Sequence, residues 1–256
     1  MLIALGTLGA AFAGGYVLAR RIDNFSIVDI AWSYAFGALA AFYAVAGPGW
    51  TVRRALLVVL VVPWSLRLGT HLARRIIRHH PVEDGRYREL RKSWAGNFQA
   101  KMFWFFQMQA ASVVLLGTTF LPSCFNAAPG LHPLEWAGAT LWLIAIAGEA
   151  LADAQLAAFG RDPENRGKVC SMGLWHVSRH PNYFFEWLTW MAYFIFALAS
   201  PWGWIAFIGP ASILYLLLRV TGIPMTEAQS IRSRGDAYRR YQQTTSAFVP
   251  WFPKKP

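Results

Sequence analysis

Side chains able to do polar chemistry gather at three places in this chain. The densest is Lys168, Gly173, Trp175, His176, then Ser178-Arg179-His180-Pro181-Asn182-Tyr183 and Glu186. Pro181 suits the first turn of a helix, Ser178 is placed to cap it, and Glu186 lies one turn beyond Asn182. A helix N-terminus with free N–H groups beside Arg179 is an anion site in waiting. An ordinary capped and anchored span would also carry a serine and a proline. It would not need five polar or charged side chains within the nine positions from Ser178 to Glu186.

The second cluster is Arg74, Arg75, Arg78, His79, His80, then Glu83-Asp84-Gly85-Arg86-Tyr87-Arg88. Its arginines could be a membrane anchor against anionic lipid. Acidic residues would weaken such an anchor, so Glu83 and Asp84 point to a folded pocket wall. Arginine forks also match phosphate oxygens better than lysine does. The third cluster is the tail, with Glu227, Arg232, Arg234, Asp236, Tyr238, Arg239, Arg240 and Tyr241 before Phe248, Pro250 and Trp251. Taken alone it reads as an interfacial amphipathic helix with an aromatic belt.

Polar residues also fall inside apolar runs, where they are costly and face a cavity or a partner. They are Asp29; Arg67 and His71, four apart and so on one helix face; Gln107 and Gln109; Glu149 and Asp153; and Arg219. Hydrogen bonds between packed helices would explain any one of them. For the set, a polar cavity opening beside the basic loops is the better account.

These groups need elements to hold them. The 256 residues are 55% hydrophobic, 16% aromatic and only 14% charged, where a soluble domain carries about 25% charged residues. A polytopic all-α membrane protein is expected, as one domain over 1–256. Seven runs are close to the ~20 residues that cross a bilayer: Leu2–Ala19, Phe25–Ala46, Ala55–Ile77, Phe103–Pro122, Leu134–Leu156, Tyr183–Ala199 and Trp202–Val220. The first is read as a true span, because Arg20 and Arg21 sit on the wrong flank for a secretory leader. The net charge is +11, with 24 Lys+Arg against 13 Asp+Glu. The segments Arg20–Arg21, Arg74–Lys101, Arg161–Arg179 and Arg232–Lys255 are basic, and the intervening 121–133 and 200–201 hold no Lys or Arg. The positive-inside rule then puts the N-terminus outside and the C-terminus in the cytoplasm, with Arg53 and Arg54 as exceptions. Cys124 and Cys170 fall on opposite sides and cannot pair. No nucleotide-binding glycine motif, metalloprotease motif, CxxC or sequence repeat is present. The basic loops are too short for a nucleic-acid domain, so no nucleic-acid partner is expected.

Together these clusters resemble the steroid 5α-reductase superfamily, and most of all its bacterial 3-oxo-5-alpha-steroid 4-dehydrogenase-like branch. The resemblance rests on Gly173–Glu186, on Glu227 with Tyr238-x-x-Tyr241 and Pro250, and on Trp64-Ser-Leu-Arg67-Leu with Glu83-Asp84-x-Arg86-Tyr87. It covers roughly spans two to seven and the tail. The Ser-Arg-His-Pro-Asn-Tyr segment is shared with isoprenylcysteine carboxyl methyltransferases and sterol reductases, so it marks the superfamily rather than the reaction. The resemblance implies a seven-helix enzyme of the bacterial inner membrane, with NADPH in a cytoplasm-facing cavity. Hydride would pass to the C4–C5 double bond of a 3-oxo-Δ4-steroid or another enone lipid.

By position, Asn182 and Glu186 match the pair that holds the nicotinamide amide, and Asp153 an acidic residue on the cofactor. Arg161, Lys168 and Arg179 fall as diphosphate contacts, and Arg74, Arg75 and Arg78 as phosphate contacts. Tyr241 aligns with a tail tyrosine. Arg67, His71, His180, Tyr183, Glu227 and Tyr238 complete the expected cofactor set. Asp29 falls where the reductases carry the acid that meets the substrate ketone. Trp64 departs from the family, standing where they have the ketone-binding tyrosine, and Tyr87 is the second candidate for that role. Hydride addition pushes charge onto the ketone oxygen, so a donor must face it; a protonated Asp29 or the Trp64 N–H would serve. Two other readings share these residues: an S-adenosylmethionine-dependent methyltransferase of the isoprenylcysteine type, and a non-enzymatic lipid-binding or scaffold protein.

Overall fold

The computed structural model describes residues 1–254, so Lys255, at the end of the fourth basic segment, lies outside the described residues. Every regular element among the described residues is helical. Besides five short 3-10 and π turns, these are in chain order α1 (Leu2–Arg21), α2 (Ile27–Ala46), α3 (Thr51–His79), α4 (Gly85–Ser93), α5 (Phe98–Gly117), α6 (Leu121–Phe125), α7 (Pro133–Arg161), α8 (Leu174–Val177), α9 (Pro181–Ala197), α10 (Ile208–Tyr215), α11 (Ile223–Arg234) and α12 (Asp236–Thr244). The chain is an all-α polytopic membrane protein, with six helical segments among the described residues long and apolar enough to cross a membrane. The sixth run expected from the sequence, Tyr183–Ala199, folds as α9, 17 residues long. At 1.5 Å per residue it spans about 25 Å, short of the ~30 Å hydrocarbon core.

The helices divide into two compact units, Met1–Leu131 with Ser200–Ile208, and His132–Ala199 with Gly209–Pro256. In the first, α2 and α3 form a tight hairpin. Lipid tails are as apolar as leucine, so helix pairing in a membrane relies on close packing and hydrogen bonds. Both are present. The Ser65 hydroxyl donates to Ser33 O at 2.7 Å and accepts from Gly37 N at 3.1 Å. Gly69 lies under the Tyr34 ring, where any β-carbon would collide with it. Trp64 and Phe36 are fully buried in this seam, their rings 5.6 Å apart.

Arg53 and Arg54, the exceptions to the charge rule, have a structural explanation. Arg53, 2% exposed, donates to the carbonyls of Asn126 at 2.9 Å, Ala128 at 2.8 Å and Gly130 at 2.7 Å. Arg54 donates to Gly47 O at 2.8 Å and to Ala44 O. Their charges sit on backbone carbonyls.

The second unit is built on α7 against α9. Gly138 lets the two backbones approach so closely that an added β-carbon would lie 2.8 Å from Ala192 O and from Phe196 N. The Trp142 indole donates to the Tyr193 hydroxyl at 3.2 Å across the same pair. Before α9 the chain turns at Gly173, whose φ of +57° only glycine adopts without strain. The Gln155 amide oxygen then accepts from Leu174 N at 2.9 Å, fastening α8 to α7. Cys124 and Cys170 are both free and buried.

Candidate functional site

The chemistry of the first unit centres on Asp29, in the first turn of α2. Tyr87 donates its phenolic hydrogen to Asp29 Oδ1 at 2.8 Å, and Arg86 donates to Oδ2 at 2.6 Å. Both donors come from α4, whose position is fixed by the acidic residues before it. Asp84 caps α4 by accepting from Arg86 N at 3.0 Å, and it pairs with Arg75 at 3.0 Å. Glu83, 7% exposed, accepts from Phe25 N at 2.8 Å and from Arg91 at 3.2 Å. The Arg91 guanidinium also lies over the rings of Phe98 and Phe25, at 4.8 and 5.3 Å. The acidic residues that a lipid anchor could not explain are therefore the fastenings of this wall.

This geometry alters one expectation. Both Asp29 oxygens accept hydrogen bonds, one of them from a guanidinium, an arrangement that suits a carboxylate. Asp29 is placed as an acceptor that orients its neighbours, and the expected protonated donor does not fit. Tyr87 is 1% exposed. Burial, and then the Asp29 charge, hold its hydroxyl well above the ordinary tyrosine range, so it stays a neutral phenol. Trp64 lies in the α2–α3 seam and is fully buried. Farther along α3, Arg67 is half-buried, while His71, Arg74, Arg75 and Arg78 are exposed.

In the second unit the segment before α9 is held by the tail. Arg179 donates through Nε to Glu227 at 2.7 Å, and through Nη1 to Gln242 O at 3.0 Å and to Thr245 O. Glu227 also receives the Gln242 amide at 2.8 Å and faces His180 Nε2 at 3.3 Å. Tyr241 donates to the carbonyls of Trp175 and Ser178. Backbone bonds run between the two strips, Arg179 N to Ser246 O at 2.8 Å and Trp251 N to Val177 O at 2.9 Å. His180 stacks on Tyr183 at 5.3 Å, and Tyr183 meets Thr226 at 3.0 Å. Tyr238 and Tyr241 are buried, with their rings 5.8 Å apart. Burial, with the Glu227 charge, pushes the Tyr238 hydroxyl up to about 12; burial also raises Tyr241.

Two further expectations change here. Ser178 does not cap α9; its hydroxyl accepts from His180 N at 3.2 Å and donates to the tail at Phe248 O at 2.8 Å. Arg179 does not fit a diphosphate ligand, since its side chain is 10% exposed and its donors turn inward to Glu227 and the tail. Arg161 and Lys168 are exposed. Asp153 is half-buried on α7, one turn beyond the buried Glu149.

Asn182 and Glu186 begin α9, and both are half-buried. The Asn182 oxygen accepts from Tyr183 N at 3.0 Å, so its –NH2 end points away as a donor. Glu186 accepts the Trp190 indole at 3.1 Å. One turn of helix thus presents an amide donor and a carboxylate acceptor, the complement of a primary carboxamide. Among the described residues no group of three or more His, Cys, Asp or Glu could hold a metal ion. Sequence reasoning left Arg86 and Gln242 out of the candidate set. Arg86, beside Tyr87, was there to be found; Gln242 carries no local signal, because only the folded tail brings it to Glu227.

No curated protein matches this chain, and no solved structure matches it. A family model described as "Protein of unknown function (DUF1295)" matches residues 15–245. That match takes in both clusters just described and nearly every helix, and on it the chain belongs to the DUF1295 family.

Proposed function

We propose that this protein is an NADPH-dependent membrane reductase that saturates the C4–C5 double bond of 3-oxo-Δ4-steroids or related enone lipids. The observation that carries the reading is the Asn182–Glu186 pair. Its donor and acceptor, one helical turn apart, complement the carboxamide of a nicotinamide. Arg74, Arg78, Arg161 and Lys168, exposed and basic, are the residues suited to the nucleotide phosphates. When bound, the nucleotide supplies the hydride.

The remaining work falls to Asp29, Arg86 and Tyr87. Negative charge developing on the C3 oxygen needs preorganised donors in an apolar setting. Arg86 keeps N–H donors beyond the one given to Asp29, and the single Tyr87 hydrogen, which Asp29 holds in place, would turn from that carboxylate to the ketone oxygen. Tyr87, kept as a neutral phenol, retains a proton for an enolate where the Trp64 indole has none to give. In this reading the protein lies in a bacterial inner membrane with α1's N-terminus outside and the tail in the cytoplasm, the orientation that the basic segments favour under the positive-inside rule.

The test is to add NADPH and testosterone or progesterone to the purified protein in detergent. The expected result is loss of enone absorbance in step with NADPH oxidation. A folded protein that oxidises NADPH with no enone steroid or lipid would refute the reading. Binding of S-adenosylmethionine without NADPH would point to methyl transfer.

A further inference from the structure

A groove of about 420 Å³ runs along the first turns of α5, within the first unit. Its polar end is formed by Asn97 and Lys101, its apolar part by Trp94, Trp104, Phe105 and Met108. The spacing 97, 101, 104, 108 keeps these residues on one helical face. From Lys101 to Met108 the helix rises about 10 Å, roughly two thirds of one leaflet's hydrocarbon depth. Trp104 is 63% exposed and Met108 68%, so the groove is open along its length. The apolar part belongs to the candidate span Ala95–Phe125, and the polar end to the basic Arg74–Lys101 segment.

The charge at the polar end is not matched from within. Among the described residues Lys101 makes no ion pair or hydrogen bond. The acids before and within α4 are engaged elsewhere, Glu83 with Arg91 and Glu89 with Lys92. Asn97 precedes α5 without its side chain capping the helix, and the helix dipole adds positive potential at that end. A positive headgroup-level pocket thus continues into an aromatic trough at acyl depth, with tryptophans at the interface between them. We infer that this groove holds one anionic phospholipid of the surrounding bilayer. Its phosphate lies at Lys101 and Asn97, and one acyl chain lies along Trp104, Phe105 and Met108. A soluble anion would use the polar end alone and leave the trough unexplained. A zwitterionic lipid would bring the same phosphate with a cation beside it, leaving the net positive charge of this end unneutralised.

The test uses the full chain in nanodiscs of mixed dioleoyl phosphatidylglycerol and dioleoyl phosphatidylcholine, released for native mass spectrometry. One basic residue near the membrane surface contributes about 1 kcal/mol toward anionic lipid, a factor of about five. The expected result is one phosphatidylglycerol retained about fivefold over phosphatidylcholine. Lys101→Gln should abolish that preference while leaving phosphatidylcholine retention unchanged. Trp104→Ala should lower retention of both lipids, and Arg20→Gln, at another basic end, should change neither. Equal retention of the two lipids by the unaltered chain would overturn the inference. So would equal loss in Arg20→Gln, showing general attraction to a basic face, or displacement of the lipid by millimolar inorganic phosphate. All three positions are exposed, so the variants test binding in a folded protein.

Discussion

Arg179→Ala separates two roles for the arginine of the Ser-Arg-His-Pro-Asn motif. If it latches the tail, its loss is a loss of structure. Its side chain is 10% exposed and makes one charge-assisted bond to Glu227 at 2.7 Å and two to tail carbonyls. Truncation leaves the half-buried Glu227 without its guanidinium, and breaking such a pair costs about 3–5 kcal/mol. At about 2–4 °C per kcal/mol for a chain of this size, unfolding should come roughly 10 °C earlier. The tail from Thr245 onward should also become sensitive to protease, since Arg179 and the backbone bonds beside it hold that strip in place. Arg179→Lys, which keeps the charge and loses the fork, should fall between. The assay is thermal unfolding in detergent with limited proteolysis, run beside NADPH titration. An Arg179→Ala protein with unchanged unfolding temperature and tail protection, but weakened NADPH binding, would show that the arginine grips the nucleotide and that the latch is wrong.

Four further outcomes are expected. Tyr87→Phe should lower kcat for enone reduction by about 100-fold with the KM for NADPH unchanged, because it removes a donor to developing charge and no cofactor contact. Asn182→Ala and Glu186→Gln should each weaken NADPH binding by about tenfold by calorimetry, the worth of one hydrogen bond to the carboxamide. Arg53→Ala should lower the unfolding temperature and leave NADPH affinity unchanged, since it strips the donors from three loop carbonyls, at about 1 kcal/mol for the buried one at Asn126 and less for the others. Stability should fall as pH rises above about 10. Tyr87 and Tyr238 are protonated in both states below that pH, but above it the unfolded chain releases protons that the raised folded-state hydroxyls keep. Base titration of unfolding should show a shallower decline in Tyr87→Phe.

The architecture was legible because apolar runs of bilayer length leave few alternatives to helices. The α9 segment falls short because its run, Tyr183–Ala199, is itself only 17 residues, and the helix gains Pro181 and Asn182 at one end but loses Leu198 and Ala199 at the other. The Glu83–Tyr87 wall was readable from a local anomaly, acids among arginines. The state of Asp29 was not, because it depends on Arg86 and Tyr87, which are 57 and 58 residues away in sequence. Arg179 shows the same limit more sharply. An arginine beside a helix start suggests an anion, and only the folded tail reveals that Glu227 already faces it.

The two arginines that open α3 also bear on how the chain is put together. Arg54 reaches back to Ala44 and Gly47, all within the α2–α3 hairpin. That hairpin therefore carries its own counter-dipoles for the Arg54 charge, and it can close as a unit once α3 has been synthesised. Arg53 has no such provision. Its acceptors lie at Asn126, Ala128 and Gly130, more than seventy residues later. From the emergence of α3 until residue 130 leaves the ribosome, its charge depends on water or lipid headgroups. Arg53 thereby fixes the earliest moment at which this end of the first unit can close.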